Sequence, residues 1–104
     1  MATNYENKAI NDYRALLGKT VLLSRVSGYK GTDSEEVQLK SPKEFKICET
    51  NIDDVLHYND SWIDPYYNVE PLGDYPELQE MRSFWCFGKG YNTETGEVSS
   101  GDVD

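Results

Sequence analysis

The chain has 104 residues and a formal net charge of −9, from 10 Lys plus Arg against 19 Asp plus Glu. That length accommodates one small domain with a modest core. Leu, Ile, Val and Phe together number 22, which with this charge borders on the disordered class, but 13 aromatic side chains, 8 of them Tyr, restore enough apolar surface to fold. These figures exclude a coiled-coil or collagen-like rod, a disulfide-dense miniprotein and a membrane-spanning helix. They also argue against direct binding of nucleic acid through a basic surface.

Residues 4–17 read as a helix. Thr3 and Glu6 have the spacing of a capping box, Gly18 is a natural stop, and Tyr5, Ala9, Ile10, Tyr13, Leu16 and Leu17 form one apolar stripe. Residues 19–27 read as a strand broken by Gly28-Tyr29-Lys30-Gly31. Residues 36–40 and 44–49 alternate Val37, Leu39, Phe45 and Ile47 inward, and Ser41-Pro42 between them suggests a hairpin. Residues 51–58 fit a helical turn or a short strand equally. Residues 59–74 look irregular, with Asp64-Pro65, Glu70-Pro71 and Gly73 as breaks. A short helix is expected near 75–82, with Pro76 close to its first position. Residues 83–88 are the most aromatic strand, and Thr93 to Gly96 turn it back toward Val98. The expected fold is α+β: one acidic domain over residues 1–98, an N-terminal helix packed on a small, mostly antiparallel sheet with barrel-like closure as an option, and a disordered tail over 99–104.

Familiar chemistry finds no footing in this pattern. Gly18-Lys19-Thr20 resembles the end of a phosphate-binding loop, but Tyr13 stands where the motif needs glycine. His57 is the single histidine, three and four residues after Asp54 and Asp53, so no two-histidine metal site can form. Residues 59–64 fail as a calcium loop because Trp62 and Ile63 occupy positions that need small or polar groups. Cys48 and Cys86 lack the spacing of a redox or metal pair and read as two buried thiols of a cytoplasmic protein. The first eight residues contain no apolar run of the secretory type. No cofactor and no enzymatic activity is expected.

The charge is uneven along the chain. Residues 1–46 carry 8 basic and 6 acidic side chains, a net of +2, whereas residues 47–104 carry 2 basic and 13 acidic, a net of −11. Between 47 and 81 there is no base at all, and Tyr58, Trp62, Tyr66, Tyr67 and Tyr75 are threaded among nine carboxylates. Tyr and Trp are favoured at protein interfaces, and carboxylates steer a basic partner. The expected site is therefore a partner-binding face over residues 53–80. Its aromatic anchors are Trp62, Tyr66, Tyr67 and Tyr75, and its steering acids are Asp53, Asp54, Asp60, Asp64, Glu70, Asp74, Glu77 and Glu80. The expected partner is a protein with a basic, nucleic-acid-binding surface, which such acids would occupy as phosphate mimics. Small size, acidity and lack of catalytic groups are shared as a class by DNA mimics and by anti-restriction and anti-CRISPR proteins of phage. The alternative is a small-ligand or structural β-rich domain, with Trp62 and residues 84–87 lining a pocket.

Overall fold

The computed structural model describes residues 4–56 and 61–103, so Thr3 of the expected helix cap, Asp60 and His57 lie outside the described residues. The elements in chain order are α1 (Asn4–Ala15), β1 (Thr20–Lys30), β2 (Asp33–Thr50), α2 (Ile52–Val55), β3 (Trp62–Ile63), β4 (Tyr66–Pro71), a 3-10 turn (Pro76–Leu78), β5 (Arg82–Phe87), β6 (Gly90–Asn92) and β7 (Val98–Ser99). β1, β2, β4 and β5 close into a barrel in which every pairing is antiparallel, and β3, β6 and β7 form a second small sheet. The protein is thus α+β, with an N-terminal helix and short helical turns on a barrel-like sheet, and among the described residues no helix is long and apolar enough to cross a membrane.

The hairpin lies elsewhere than the turn residues suggest. Gly31, with φ of +66°, turns β1 into β2, and Ser41-Pro42 sits inside the single 18-residue strand β2. Leu23 pairs with Lys43 and Arg25 with Gln38, so residues 39–42 bulge opposite Ser24 alone. Proline is tolerated there because a bulge asks for no ladder N–H. A second irregularity in β2 leaves Cys48 unpaired between the pairs Ile47–Val69 and Glu49–Asn68. A third joins β1 to β5: Ser27 pairs with Trp85 and Tyr29 with Arg82, so Ser83 and Phe84 together oppose Gly28. Bulges increase local twist and coiling, which a barrel of so few strands needs in order to close.

Gly28 and Ser83 make one device. Ser83 is the only non-glycine with positive φ (57°) among the described residues, and it rotates Phe84 into the barrel. A Cβ on Gly28 would stand 2.8 Å from Phe84 Cδ1, so only glycine lets that ring cross β1. β1 consequently runs through Gly28 to Lys30 rather than ending before it.

Inside the barrel, Leu23, Val26, Leu39, Phe45, Ile47, Val69, Phe84 and Cys86 make the core. α1, packed beside α2 and β6, adds Ala9 and Tyr13 to that core, while Tyr5 and Leu17, at the margins of the apolar stripe, stay exposed. Tyr13 stacks on Tyr67 with ring centres 4.6 Å apart and meets Tyr91 edge-on at 6.1 Å. Its hydroxyl lies within hydrogen-bonding distance of the carbonyls of Lys89 (2.6 Å) and Pro65 (3.0 Å). Gly88 permits this, since a Cβ there would stand 2.6 Å from the Tyr13 hydroxyl. One residue earlier, Asp12 accepts hydrogen bonds from Tyr91 Oη at 2.9 Å and from Lys8 Nζ at 3.0 Å.

The stretch over 59–74, read as irregular, contains β3 and β4; the prolines there bracket β4 without interrupting it. Residues 51–58 begin as the helical turn α2, and Pro76 opens the expected short helix as a 3-10 turn. The loose tail expected over 99–104 is packed as far as it is described. Ser99 pairs in β7, Asp102 accepts from Arg25 Nε at 2.7 Å and from the Phe87 amide at 3.3 Å, and Val103 is buried.

Three outcomes follow for stability. Gly28→Ala is expected to cost about 1–3 kcal/mol in urea denaturation by overpacking Phe84, whereas Ser83→Gly is expected to be neutral or to add up to about 1 kcal/mol by removing left-handed strain. Burial pushes the Asp12 carboxyl up, but the hydrogen bonds from Lys8 and Tyr91 and the two lysine charges outweigh it, leaving it below the ordinary carboxylate value. A folded value below the unfolded one stabilises at pH above the ordinary carboxylate range and is lost as pH falls through the lowered value. Asp12→Asn should therefore be about 0.5–1 kcal/mol less stable at neutral pH, a modest figure because the pair is half exposed, and the gap should close in acid.

Candidate functional site

The fold mixes the two halves of the chain that differ in charge. Asp53, expected to steer a partner, is held by Arg14 of α1 at 2.9 Å, and Glu80 pairs with Lys30 of β1 at 3.3 Å. Glu77 accepts from its own amide and from that of Lys40, which, against slight desolvation and with the help of nearby lysines, hold its carboxyl below the usual range. Glu70 stands opposite Lys46 in the β2–β4 register. Asp102 binds Arg25. Asp54 and Asp74 are exposed and form no ion pair among the described residues, and Asp64 is occupied with the Trp62 indole, which donates to it at 3.3 Å. The run of carboxylates without bases is thus a feature of the linear chain, because β1 and β2 bring lysines and arginines beside it.

The aromatic anchors separate in the same way. Tyr67 is 2% exposed and stacked on Tyr13, so it is core and cannot touch a partner as a surface anchor. The reason is the strand alternation of β4, which sends Tyr67 and Val69 inward and Tyr66, Asn68 and Glu70 outward. Tyr75 is half-buried over Phe45, donates to the Glu44 carbonyl at 2.8 Å and lies under Lys43 Nζ at 5.7 Å, which fixes the 3-10 turn against β2. Trp62 belongs to the second sheet, half-buried beside Gly90. Only Tyr66 of the expected anchors reaches the outer barrel wall.

There it joins residues from outside the expected window. Trp85 lies between Ser27 of β1 and Asn68 of β4 in register, two neighbours without large side chains, and stays half-buried. Tyr29 packs against it with ring centres 5.1 Å apart, and Phe87, two residues on, pairs with Tyr66. Tyr29 is 41% and Phe87 48% exposed, and Tyr66 and Trp85 are half-buried. Tyr29, Tyr66, Asn68, Ser83 and Trp85 line a recess of about 250 Å³. The bulge at Ser83 shapes one side of this recess and brings Arg82 opposite Tyr29. The signal existed in the sequence: in Ser83-Phe84-Trp85-Cys86-Phe87 the even positions face inward and the odd ones outward. Tyr29 could not be foreseen, because its place depends on β1 continuing through Gly28.

The two thiols differ, contrary to the expectation that both are buried. Cys48 is the bulged residue of β2 and is exposed, whereas Cys86 is buried and its thiol is pushed up to about 12 by desolvation and by the Asp102 charge. Partial burial and the Glu70 charge also raise Cys48 above its ordinary value, despite Lys46. Neither thiol carries appreciable thiolate at neutral pH, as a cysteine nucleophile requires. Among the described residues no group of three His, Cys, Asp or Glu is placed to hold a metal ion.

A thiol-reactive chromophore should therefore label one cysteine of the native protein, Cys48, at a rate that rises steadily toward alkaline pH, and both cysteines in urea; mass mapping of the labelled peptide checks the assignment. Compared with protein-family models, with curated proteins and with solved structures, the chain matches none.

Proposed function

We propose that this chain is a non-enzymatic protein-binding module, a regulator or inhibitor, that engages a partner through a basic surface of the kind that binds nucleic acid. One observation carries the reading: Tyr29, Tyr66, Trp85 and Phe87 form an aromatic face on three neighbouring barrel strands, with Tyr29 and Phe87 exposed and Tyr66 and Trp85 half-buried. Each such side chain offers roughly 150–250 Å² for burial and loses little conformational freedom on binding. Carried by strands, the face is preorganised, so little of its binding energy is spent on ordering.

The net charge of −9 chooses the sign of the partner. Salt bridges cancel individual acids locally but leave that total unchanged, and the total speeds encounter with a basic surface. Asp54, Asp74 and Glu70 then act as long-range steering charges and the aromatic face as the anchor, a different division of labour from a stripe of phosphate mimics. A small-ligand site is the competing reading. The recess beside Trp85, at about 250 Å³, is below the usual range for small-molecule pockets and fits one inserted side chain, which favours a protein partner. An arginine suits it, since guanidinium stacks on Trp and Tyr and Asn68 can accept from it.

The test is capture on the immobilised protein at low salt, with Trp85→Ala run in parallel after circular dichroism shows that it is folded. A basic protein should be retained by the natural chain and released as salt rises, and Trp85→Ala should weaken its retention by about 30-fold, the loss of a central interface tryptophan. Replacing Asp54 and Asp74 together with Asn should slow association severalfold with little change in dissociation. Equal retention by Trp85→Ala, or retention indifferent to salt, overturns the proposal.

A further inference from the structure

A cleft of about 390 Å³ lies between α1 and β6, on residues that the aromatic face does not use. Its polar groups are Lys8, Asp12, Tyr13, Tyr67, Lys89 and Tyr91, and Leu16 and Val103 give it an apolar wall. Most of the polar groups are already committed: Asp12 accepts from both Lys8 and Tyr91. Two are not. Tyr67 is 2% exposed and its hydroxyl, which borders the cleft, makes no hydrogen bond among the described residues. The hydroxyl is not sealed off from solvent, so it is open to a partner entering the cleft. Lys89 is exposed, forms no ion pair among the described residues, and lies close enough for its charge to act on Asp12.

Two ammonium groups against one carboxylate make this cleft locally positive in a chain of net charge −9. We propose that it is a binding site for a small organic anion, a carboxylate or phosphate on an apolar body. Tyr67 Oη–H donates to the anionic oxygen, Lys89 neutralises it, Lys8 adds a second positive charge, and the body rests on Leu16 and Val103. The volume lies within the range of small-molecule sites, and a few convergent polar groups on an apolar wall are their usual composition. Burial and the nearby Asp12 charge keep the Tyr67 phenol protonated well beyond neutral pH, so it remains a donor.

The probes are phenyl phosphate and benzoate, with benzyl alcohol as the neutral control, each titrated to tens of millimolar against the isotope-labelled protein by NMR. Saturable shifts at the amides of residues 8, 67 and 89 with either anion, and none with benzyl alcohol, support the site. Tighter binding of phenyl phosphate assigns it to phosphates, and tighter binding of benzoate assigns it to carboxylates. Tyr67→Phe removes only the unpartnered hydroxyl, so its melting temperature should match that of the natural chain while anion affinity falls about fivefold, the worth of one hydrogen bond. Lys89→Gln should weaken binding similarly and reduce its salt dependence. No saturable shift with either anion, equal binding of benzyl alcohol, or unchanged affinity in both variants overturns the proposal. None of these residues belongs to the Trp85 face, so the outcome is independent of the protein-binding test.

Discussion

The placement of α1 on the barrel depends on one phenol. Tyr13 reaches past Gly88 to the carbonyls of Lys89 and Pro65, and its ring lies on Tyr67. Three parts of the chain meet there: the helix, the link between β3 and β4, and the link between β5 and β6. Both carbonyls belong to connecting segments outside the strand ladders; that of Pro65 also takes the Gly88 amide at 3.4 Å, so the phenol matters most to Lys89, since a buried carbonyl without a donor is costly. Desolvation raises the Tyr13 phenol far above the physiological range, so it stays a neutral donor. The second sheet and the cleft beside Tyr91 are both positioned by where this ring sits.

The barrel wall depends on a different constraint, strand number. A sheet this narrow closes only if its strands coil strongly, and the bulges at residues 39–42, at Cys48 and at Ser83–Phe84 provide the coil. Each bulge also changes which side chains face outward. Cys48 leaves the core because of one, and Arg82 comes opposite Tyr29 because of another. The architecture of the wall and the composition of its outer surface therefore have the same cause.

Much of this was legible in the sequence. The N-terminal helix with its left-handed Gly18 just beyond the end, the aromatic strand within 82–87, the turn before Val98 and the opening of a short helix at Pro76 follow from local rules of φ, capping and alternation, and local rules hold wherever neighbours in sequence decide the outcome. What escaped was non-local. Ser41-Pro42 reads as a turn unless Ser24 is known to lie opposite, and Gly28 reads as a break unless Phe84 is known to need its space. The candidate site fared worse for the same reason. A charge map drawn along the chain cannot show that Arg14, Lys30 and Lys46 return to Asp53, Glu80 and Glu70. Tyr67 and Tyr66 are indistinguishable by composition, and only the register of β4 sends one inward and the other out.

The closing seam between β1 and β5 has a consequence for folding. The pairs Ser27–Trp85 and Tyr29–Arg82 join residues more than fifty positions apart, whereas β1 and β2 meet through the tight turn at Gly31. Loop-closure entropy makes the hairpin early and the seam late. Tyr29 comes from one side of that seam and Tyr66, Trp85 and Phe87 from the other, so the face is completed only when the barrel shuts. An unfinished or frayed molecule presents that surface without Tyr29, and a partner that needs the whole face holds the seam closed, which couples the protein's lifetime in its closed form to the presence of its partner.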